Sequence, residues 1–131
     1  MKALDTNILV RFLLNDDTAQ AERVLKLFRD AEQNEERFFV SILVLLEMIW
    51  VLGSVYEIAR DDLINAIENV LSMPIIEVEK AEAVFRALLE AKKSNLDLAD
   101  LLIAFCSKAA GAEALITFDK RAAKHPLFIE L

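Results

Sequence analysis

Short apolar segments alternate with amphipathic segments along the whole chain, and this alternation restricts the fold more than any other feature. The apolar segments are strand candidates, at residues 2–4, 38–40, 75–78, 114–117 and 128–131. Most segments between them repeat apolar residues with the 3.6-residue period of a helix. Such an order predicts an α/β domain of three layers, with a mostly parallel central sheet of about 4–5 short strands.

The size and composition of the chain predict one domain that has a partner. No Pro-, Gly- or Ser-rich linker divides the 131 residues, so a single domain over 1–131 is expected. Hydrophobic residues make up 56% of the chain, which favours a homodimer or a bound protein partner that covers apolar surface. The apolar segment 42–52 is shorter than the roughly 20 residues of a membrane span, and Asp5 and Asn7 disagree with a secretory signal. A cytoplasmic protein without a membrane partner is expected.

Several kinds of chemistry have little support in the sequence. Cys106 is the only cysteine and lies in an apolar helix candidate, whereas His125 is the only histidine and stands beside Pro126. Catalysis by a His–Ser or His–Cys pair, or a His-rich zinc site, is therefore not expected. The net charge of −7 argues against loose electrostatic binding to nucleic acid. Action on a phosphodiester would need metal ions to offset the local charge.

Acidic residues follow two of the predicted strands directly. Asp5 comes after the first strand and Asp119 after the strand at 114–117. Carboxyl ends of parallel strands lie on one edge of a sheet, where open α/β sheets bind ligands. The sequence therefore predicts that Asp5 and Asp119 share this edge. A simpler interpretation is that Asp5 or Thr6 only caps the first helix.

Three further acids are candidates for the same edge. Asp97 and Asp100 open a helix at a spacing of i, i+3, where Asp97 suits the N-cap and Asp100 the third helical position. Glu47 is the only charged residue between residues 42 and 56, which predicts a partly buried carboxylate that needs compensation. A salt bridge to a lysine or arginine is one form of compensation, and a metal ion is the other.

A pocket of carboxylates without histidine or thiolate is the ligand set of a hard cation, Mg²⁺ or Mn²⁺. Such ions retain water and bind phosphate. One ion can polarise a phosphoryl oxygen and acidify water, and two ions can stabilise both oxygens of an in-line displacement. Either arrangement favours phosphodiester hydrolysis.

Four segments of the chain resemble the PIN-domain ribonucleases, and among them the VapC-type toxins of prokaryotic toxin–antitoxin pairs. These segments are LDTNILVRFLLNDD, FFVSILVLLEMIWVL, LDLADLLIAF and LITFDK, and they occur in the order and spacing of that family. The resemblance covers essentially the whole chain. It implies metal-dependent endonucleolytic cleavage of RNA, restrained by an antitoxin that wraps the apolar helices and sends a basic side chain toward the acids.

The resemblance also implies roles for particular residues. Asp5, Glu47, Asp100 and Asp119 match the acidic quartet around the divalent metal, with Asp5 and Asp100 as the expected direct ligands. Asp97 matches a commonly acidic position outside the quartet. Thr6, Asn7 and Thr117 match positions that orient the carboxylates or touch the substrate phosphate.

A second interpretation is a non-catalytic, phosphate- or metal-binding regulatory module of the receiver type. Such modules also place acids, a threonine and a lysine at strand ends, as Asp119 and Lys120 are placed here. A receiver needs a phospho-accepting aspartate after a central strand, and the segment IIEV offers only Glu77. The few basic residues that could guide an RNA form no readable sequence code; examples are Arg11, Lys120, Arg121 and Lys124.

Overall fold

A computed structural model describes residues 1–14 and 16–131. The predicted polar break after the first helix includes Asn15, which lies outside the described residues. The described chain forms two compact units, Met1–Glu79 and Lys80–Leu131. The expectation of a single domain stays a prediction.

The first unit consists of three short strands and four α-helices. In chain order they are β1 (Lys2–Ala3), α1 (Thr6–Leu14), α2 (Thr18–Gln33), β2 (Phe38–Val40), α3 (Ile42–Trp50), α4 (Arg60–Ser72) and β3 (Ile76–Val78). The strands form a parallel sheet in the order β1-β2-β3. Helix α1 packs against α2 and α3, and α4 packs against β3. Fully buried side chains such as Leu9, Leu45 and Ile67 form the core of this unit.

Side-chain caps begin two of these helices. The Oδ1 atom of Asp17 accepts a hydrogen bond from the Gln20 N–H at 3.0 Å, so Asp17 is the N-cap of α2 and Thr18 is its first residue. From the sequence alone Thr18 is a plausible N-cap for this helix, and that prediction is wrong by one position. Ser41 caps α3 as expected, because its Oγ accepts the N–H of Leu43 at 3.1 Å.

The end of the helix that carries Glu47 departs from α geometry. Gly53 and Ser54 predict a loosened helix end, and in the structure α3 ends at Trp50 and a π-helical turn follows over Val51–Val55. The Tyr56 N–H donates to the carbonyl oxygen of Val51, five residues earlier, at 3.3 Å. Gly53 lies inside this turn, where its low helix propensity makes the departure from α geometry less costly.

The second unit consists of two α-helices, two strands and a 3₁₀ turn. They are α5 (Ala81–Ala91), α6 (Leu98–Ala109), β4 (Leu115–Thr117), the 3₁₀ turn (Ala122–Lys124) and β5 (Phe128–Glu130). Helix α5 packs on α6, and β4 pairs with β5 in parallel. Gly111 ends α6 in the left-handed region, with a φ of 103°. The N–H groups of Gly111 and Ala112 close back on the carbonyls of Lys108 and Ser107, both at 3.0 Å, as in a Schellman motif.

The predicted fold class is confirmed. The protein is an α/β protein, and each of its described strands is paired in parallel. Their hydrogen bonds form one three-stranded and one two-stranded ladder. Across the described ranges we find no helix with the length and apolar character that crossing a membrane requires.

Candidate active site

Asp5 and Thr6 lie where β1 passes into α1. Asp5 is exposed, and its Oδ1 accepts the backbone N–H of Thr6 at 2.8 Å, while its carbonyl oxygen accepts the N–H of Ile8 at 3.1 Å. Thr6 is only 3% exposed, and its buried hydroxyl has no hydrogen-bond partner among the described residues. A buried hydroxyl without a partner is costly. Asp5 therefore supports the start of α1, and Thr6 leaves an uncompensated polar atom directly beside it.

Asn7 is exposed on the first turn of α1 and faces a cavity of about 450 Å³ in the first unit. Arg11, Gln20 and Arg23 also line this cavity. The Arg11 guanidinium is already engaged, because its Nη1 contacts Asp16 Oδ1 at 2.6 Å and its Nε contacts Gln20 Oε1 at 2.7 Å. The structure therefore places Asn7 at a cavity that also has the apolar side chains of Ile8, Val24 and Leu27 in its lining.

Glu47 is exposed, and the expectation of a partly buried carboxylate is wrong. Leu43 and Trp50 are 72% and 64% exposed and share its side of α3 at i, i+4 and i+7. Apolar residues lie on every side of this helix, so the sequence pattern could not show which side is exposed to solvent. In the described part of the chain, Glu47 makes no salt bridge with a lysine or arginine, which removes the alternative of internal pairing.

Glu79 is an acid that the sequence interpretation missed. It directly follows β3, and its Oε1 accepts the Ile42 N–H at the start of α3 at 3.0 Å. Its own N–H donates to the carbonyl of Val40 at 2.9 Å. The signal was available, because Glu79 stands after its strand as Asp5 stands after β1. Its hydrogen bond gives it a structural role at the carboxyl end of the sheet.

Asp97 and Asp100 begin α6 as the sequence predicts. Asp97 is the N-cap, and its Oδ1 accepts the Asp100 N–H at 3.0 Å. Its carbonyl oxygen accepts the N–H of Leu101 at 3.0 Å. Asp100 is half-buried in the first helical turn. The cap thus places two carboxyl groups at one helix end.

Asp119 follows β4 and organises the turn after it. Its Oδ1 accepts the N–H groups of Arg121 at 2.9 Å and Ala122 at 3.2 Å. The hydroxyl of Thr117 accepts the N–H of Asp119 at 3.0 Å. Thr117 therefore supports the backbone of the acid, in agreement with an orienting role.

The acids of the second unit influence one another electrostatically. Burial raises the pKa of Asp100 above its ordinary value, and the negative charges of Asp97 and Asp119 raise it further. Asp100 is therefore a half-buried carboxyl group with two like charges near it.

This donor chemistry fits a hard divalent cation, since all three groups present oxygen and none is a thiolate or imidazole. Within either unit, counting only described residues, no three His, Cys, Asp or Glu side chains are close enough to hold one ion together. Asp5 and Glu47 belong to the first unit, whereas Asp100 and Asp119 belong to the second. Convergence of the four at one metal site stays a prediction.

Comparison with known proteins gives two findings. A curated VapC ribonuclease of Aquifex aeolicus (strain VF5) is 27% identical to this chain over 121 residues, which cover 92% of the chain and 89% of that protein. The model of the PIN domain family matches residues 2–126, and so includes each acid discussed above. The chain therefore belongs to the PIN domain family.

Proposed function

We propose that this protein is a metal-dependent endoribonuclease and the toxin of a toxin–antitoxin pair. The observation that carries the proposal is the placement of carboxyl groups in the second unit: Asp97 caps α6 at the backbone of the half-buried Asp100, and Asp119 organises the turn after β4. Such carboxylates suit a divalent cation at a phosphodiester. Membership of the PIN domain family and the similarity to a VapC ribonuclease support this activity. The receiver-like alternative has no comparable support.

Asp5, Glu47, Asp100 and Asp119 are the proposed catalytic and metal-binding residues. When bound, Mg²⁺ or Mn²⁺ offsets the charge of the phosphodiester and acidifies water for its hydrolysis. Asp97 fixes the backbone of Asp100, and Thr117 fixes that of Asp119. Oδ1 of Asp119 already accepts two N–H groups, so Oδ2 is the oxygen of this side chain that would be left to hold a cation.

Thr6 and Asn7 are proposed to support this site from the start of α1. The hydroxyl of Thr6 is buried next to Asp5 and has no hydrogen-bond partner among the described residues, which is unusual for a residue with no role at a site. Asn7 is exposed and can donate from its amide to a phosphate oxygen. These roles rest on the resemblance and on the local geometry of the first unit.

The proposed partners are an RNA substrate, a protein antitoxin and a second copy of the chain. The uncovered apolar residues of α3, Leu43 and Trp50, support a protein partner. The exposed Glu47 between them would favour a basic residue on that partner. The proposed compartment is the cytoplasm, where an RNA substrate is available.

The test is cleavage of a structured RNA with Mg²⁺, with Mn²⁺ and with EDTA. Wild type should cleave in either metal and not in the chelator. Asp100→Asn should lose cleavage while it keeps the circular dichroism spectrum, because the change preserves volume and removes a carboxylate. Glu113→Gln is the matched control, since Glu113 is an exposed acid of the same unit outside the site. Equal cleavage by wild type and Asp100→Asn would refute the metal assignment.

A further inference from the structure

The second unit contains a cavity of about 330 Å³ whose lining is basic. Arg121, Lys124 and His125 form one side, and Asn95 and Pro126 are also in contact with it. No carboxylate lines it among the described residues, although the chain has 22 acidic residues and 15 Lys and Arg residues. The full charges at its lining therefore come from basic residues, although the protein as a whole is acidic. Its volume lies at the small end of the roughly 300–1,000 Å³ of ligand pockets.

Two chain segments place this cavity beside the acids of the second unit. Asn95 precedes the capping residue Asp97 by two positions, and Arg121 follows Asp119 by two. The Oδ1 atom of Asp119 accepts a hydrogen bond from the backbone N–H of Arg121 at 2.9 Å. Asp119 and the Arg121 side of the cavity therefore belong to one turn. A ligand in the cavity would therefore lie next to Asp97 and Asp119 and would contact the same two chain segments.

The charge of the cavity comes from Arg121 and Lys124. Both are exposed, and neither forms a salt bridge with a carboxylate in the part of the chain that the structure describes. His125 has a different role. Its Nδ1 accepts the N–H of Leu127 at 3.2 Å, and its Nε2 contacts Glu90 Oε1 at 2.8 Å. These two contacts fix the His125 ring in the wall of the cavity.

We propose that this cavity holds the nucleotide next to the cleaved bond of a single-stranded RNA, with its phosphate against Arg121 and Lys124. The proposal deepens the nuclease function and rests on it. Phosphates supply most of the affinity for nucleic acid, and they need lysine or arginine without a competing carboxylate. Asn95 offers both a donor and an acceptor to a base edge. The adjacent acids, which are the proposed holders of the metal for RNA cleavage, favour RNA over an acidic protein segment.

Binding can be measured without cleavage, by fluorescence anisotropy of a labelled oligouridine in EDTA over a series of salt concentrations. Arg121→Gln and Lys124→Gln should each weaken binding several-fold. Each should also reduce the slope of log affinity against log salt by about 0.7, the value for one phosphate contact on a single strand. Lys108→Gln is the matched control, because Lys108 is exposed in the last turn of α6, at the opposite end from Asp100. It should change neither quantity.

A second series replaces single phosphates of the RNA with neutral methylphosphonates. At one position of the RNA, the replacement should weaken binding to wild type. The same replacement should not weaken binding to Arg121→Gln any further, because the methylphosphonate and the substitution remove the same contact. If no position behaves in this way, and both glutamine variants bind RNA as wild type does, the proposal is wrong. If a glutamate-rich peptide displaces the oligouridine at equal concentration, the cavity belongs to a protein partner and the proposal is also wrong.

The two proposals fail in different ways. If wild type cleaves RNA and both glutamine variants bind and cleave RNA normally, the RNA-binding role of the cavity is refuted. The nuclease proposal would stand. Wild type that binds RNA through Arg121 and Lys124, but cleaves in neither Mg²⁺ nor Mn²⁺, would refute the nuclease and support the cavity as an RNA-binding site.

Discussion

The carboxylate of Asp97 accepts a hydrogen bond from the backbone N–H of Asp100 at 3.0 Å, while its charge raises the pKa of the Asp100 side chain. Asp97 therefore stabilises the start of α6 and at the same time repels the carboxylate form of Asp100. The N-terminal end of a helix favours negative charge, which partly offsets this crowding. The two contributions of Asp97 can be separated by substitution.

Asp97→Ala should lower the free energy of unfolding by roughly 0.5–2 kcal/mol relative to Asp97→Asn. Both variants remove the charge, but only asparagine retains a side-chain oxygen for the N–H of Asp100. The difference between them, measured by urea unfolding in EDTA, therefore isolates the cap. Equal stabilities would mean that the hydrogen bond contributes nothing.

Asp100 should make stability depend on pH in the absence of metal. Its folded pKa is raised above the unfolded value, so the native state binds the proton more tightly. The stabilisation by protonation is fully present below the unfolded pKa and is lost as pH rises through the folded pKa. In EDTA, the melting temperature of Asp100→Asn minus that of wild type should therefore increase from acidic to neutral pH.

Millimolar Mg²⁺ should raise the melting temperature of wild type more than that of Asp100→Asn, because a ligand of the native state stabilises it by mass action. Glu113→Gln should respond to pH and metal as wild type does. If Asp100→Asn melts several degrees below wild type in EDTA at neutral pH, and metal shifts neither protein, Asp100 is a structural residue and the assignment fails.

Local sequence rules predicted correctly those features that depend on only a few neighbouring residues, such as helix ends. Ser41 and Asp97 cap their helices, and Gly111 follows α6, because these side chains or a missing Cβ meet the needs of the helix ends directly. The parallel strands were also predictable from their alternation with helices. The acids after the strands followed from the same pattern.

Features that depend on tertiary contacts, such as the exposure of a helix side, could not be predicted from the sequence. Glu47 lies in a helix that is apolar on every side, so the sequence could not show that its side is left exposed. The π-helical turn after Trp50 and the capping bond of Glu79 depend on tertiary contacts rather than on periodicity. The basic cavity joins residues about 30 positions apart, which no local pattern identifies.

A polar cluster around Arg11 should affect the acid stability of the first unit. Burial raises the pKa of Asp16, but hydrogen bonds from Arg11 and Tyr56 outweigh it and leave that pKa below its ordinary value. The stabilisation is therefore present above the unfolded pKa and is lost as pH falls through the folded pKa. Arg11→Gln should raise the pKa of Asp16 in an NMR titration. Lys26→Gln, which removes an exposed pair with Asp30, should leave it unchanged.

The apolar side of α3 should be buried by self-association. Trp50 is the only tryptophan and is 64% exposed, so its fluorescence reports directly on this surface. Increasing protein concentration should shift the emission to shorter wavelength as light scattering shows the mass of a dimer. Leu43→Ser should weaken both changes, because Leu43 is 72% exposed on the same side of the helix. Leu25→Ser, at a 42% exposed residue of α2, is the control and should alter neither. A wild-type protein that stays monomeric at micromolar concentration, with constant emission, would refute the homodimer.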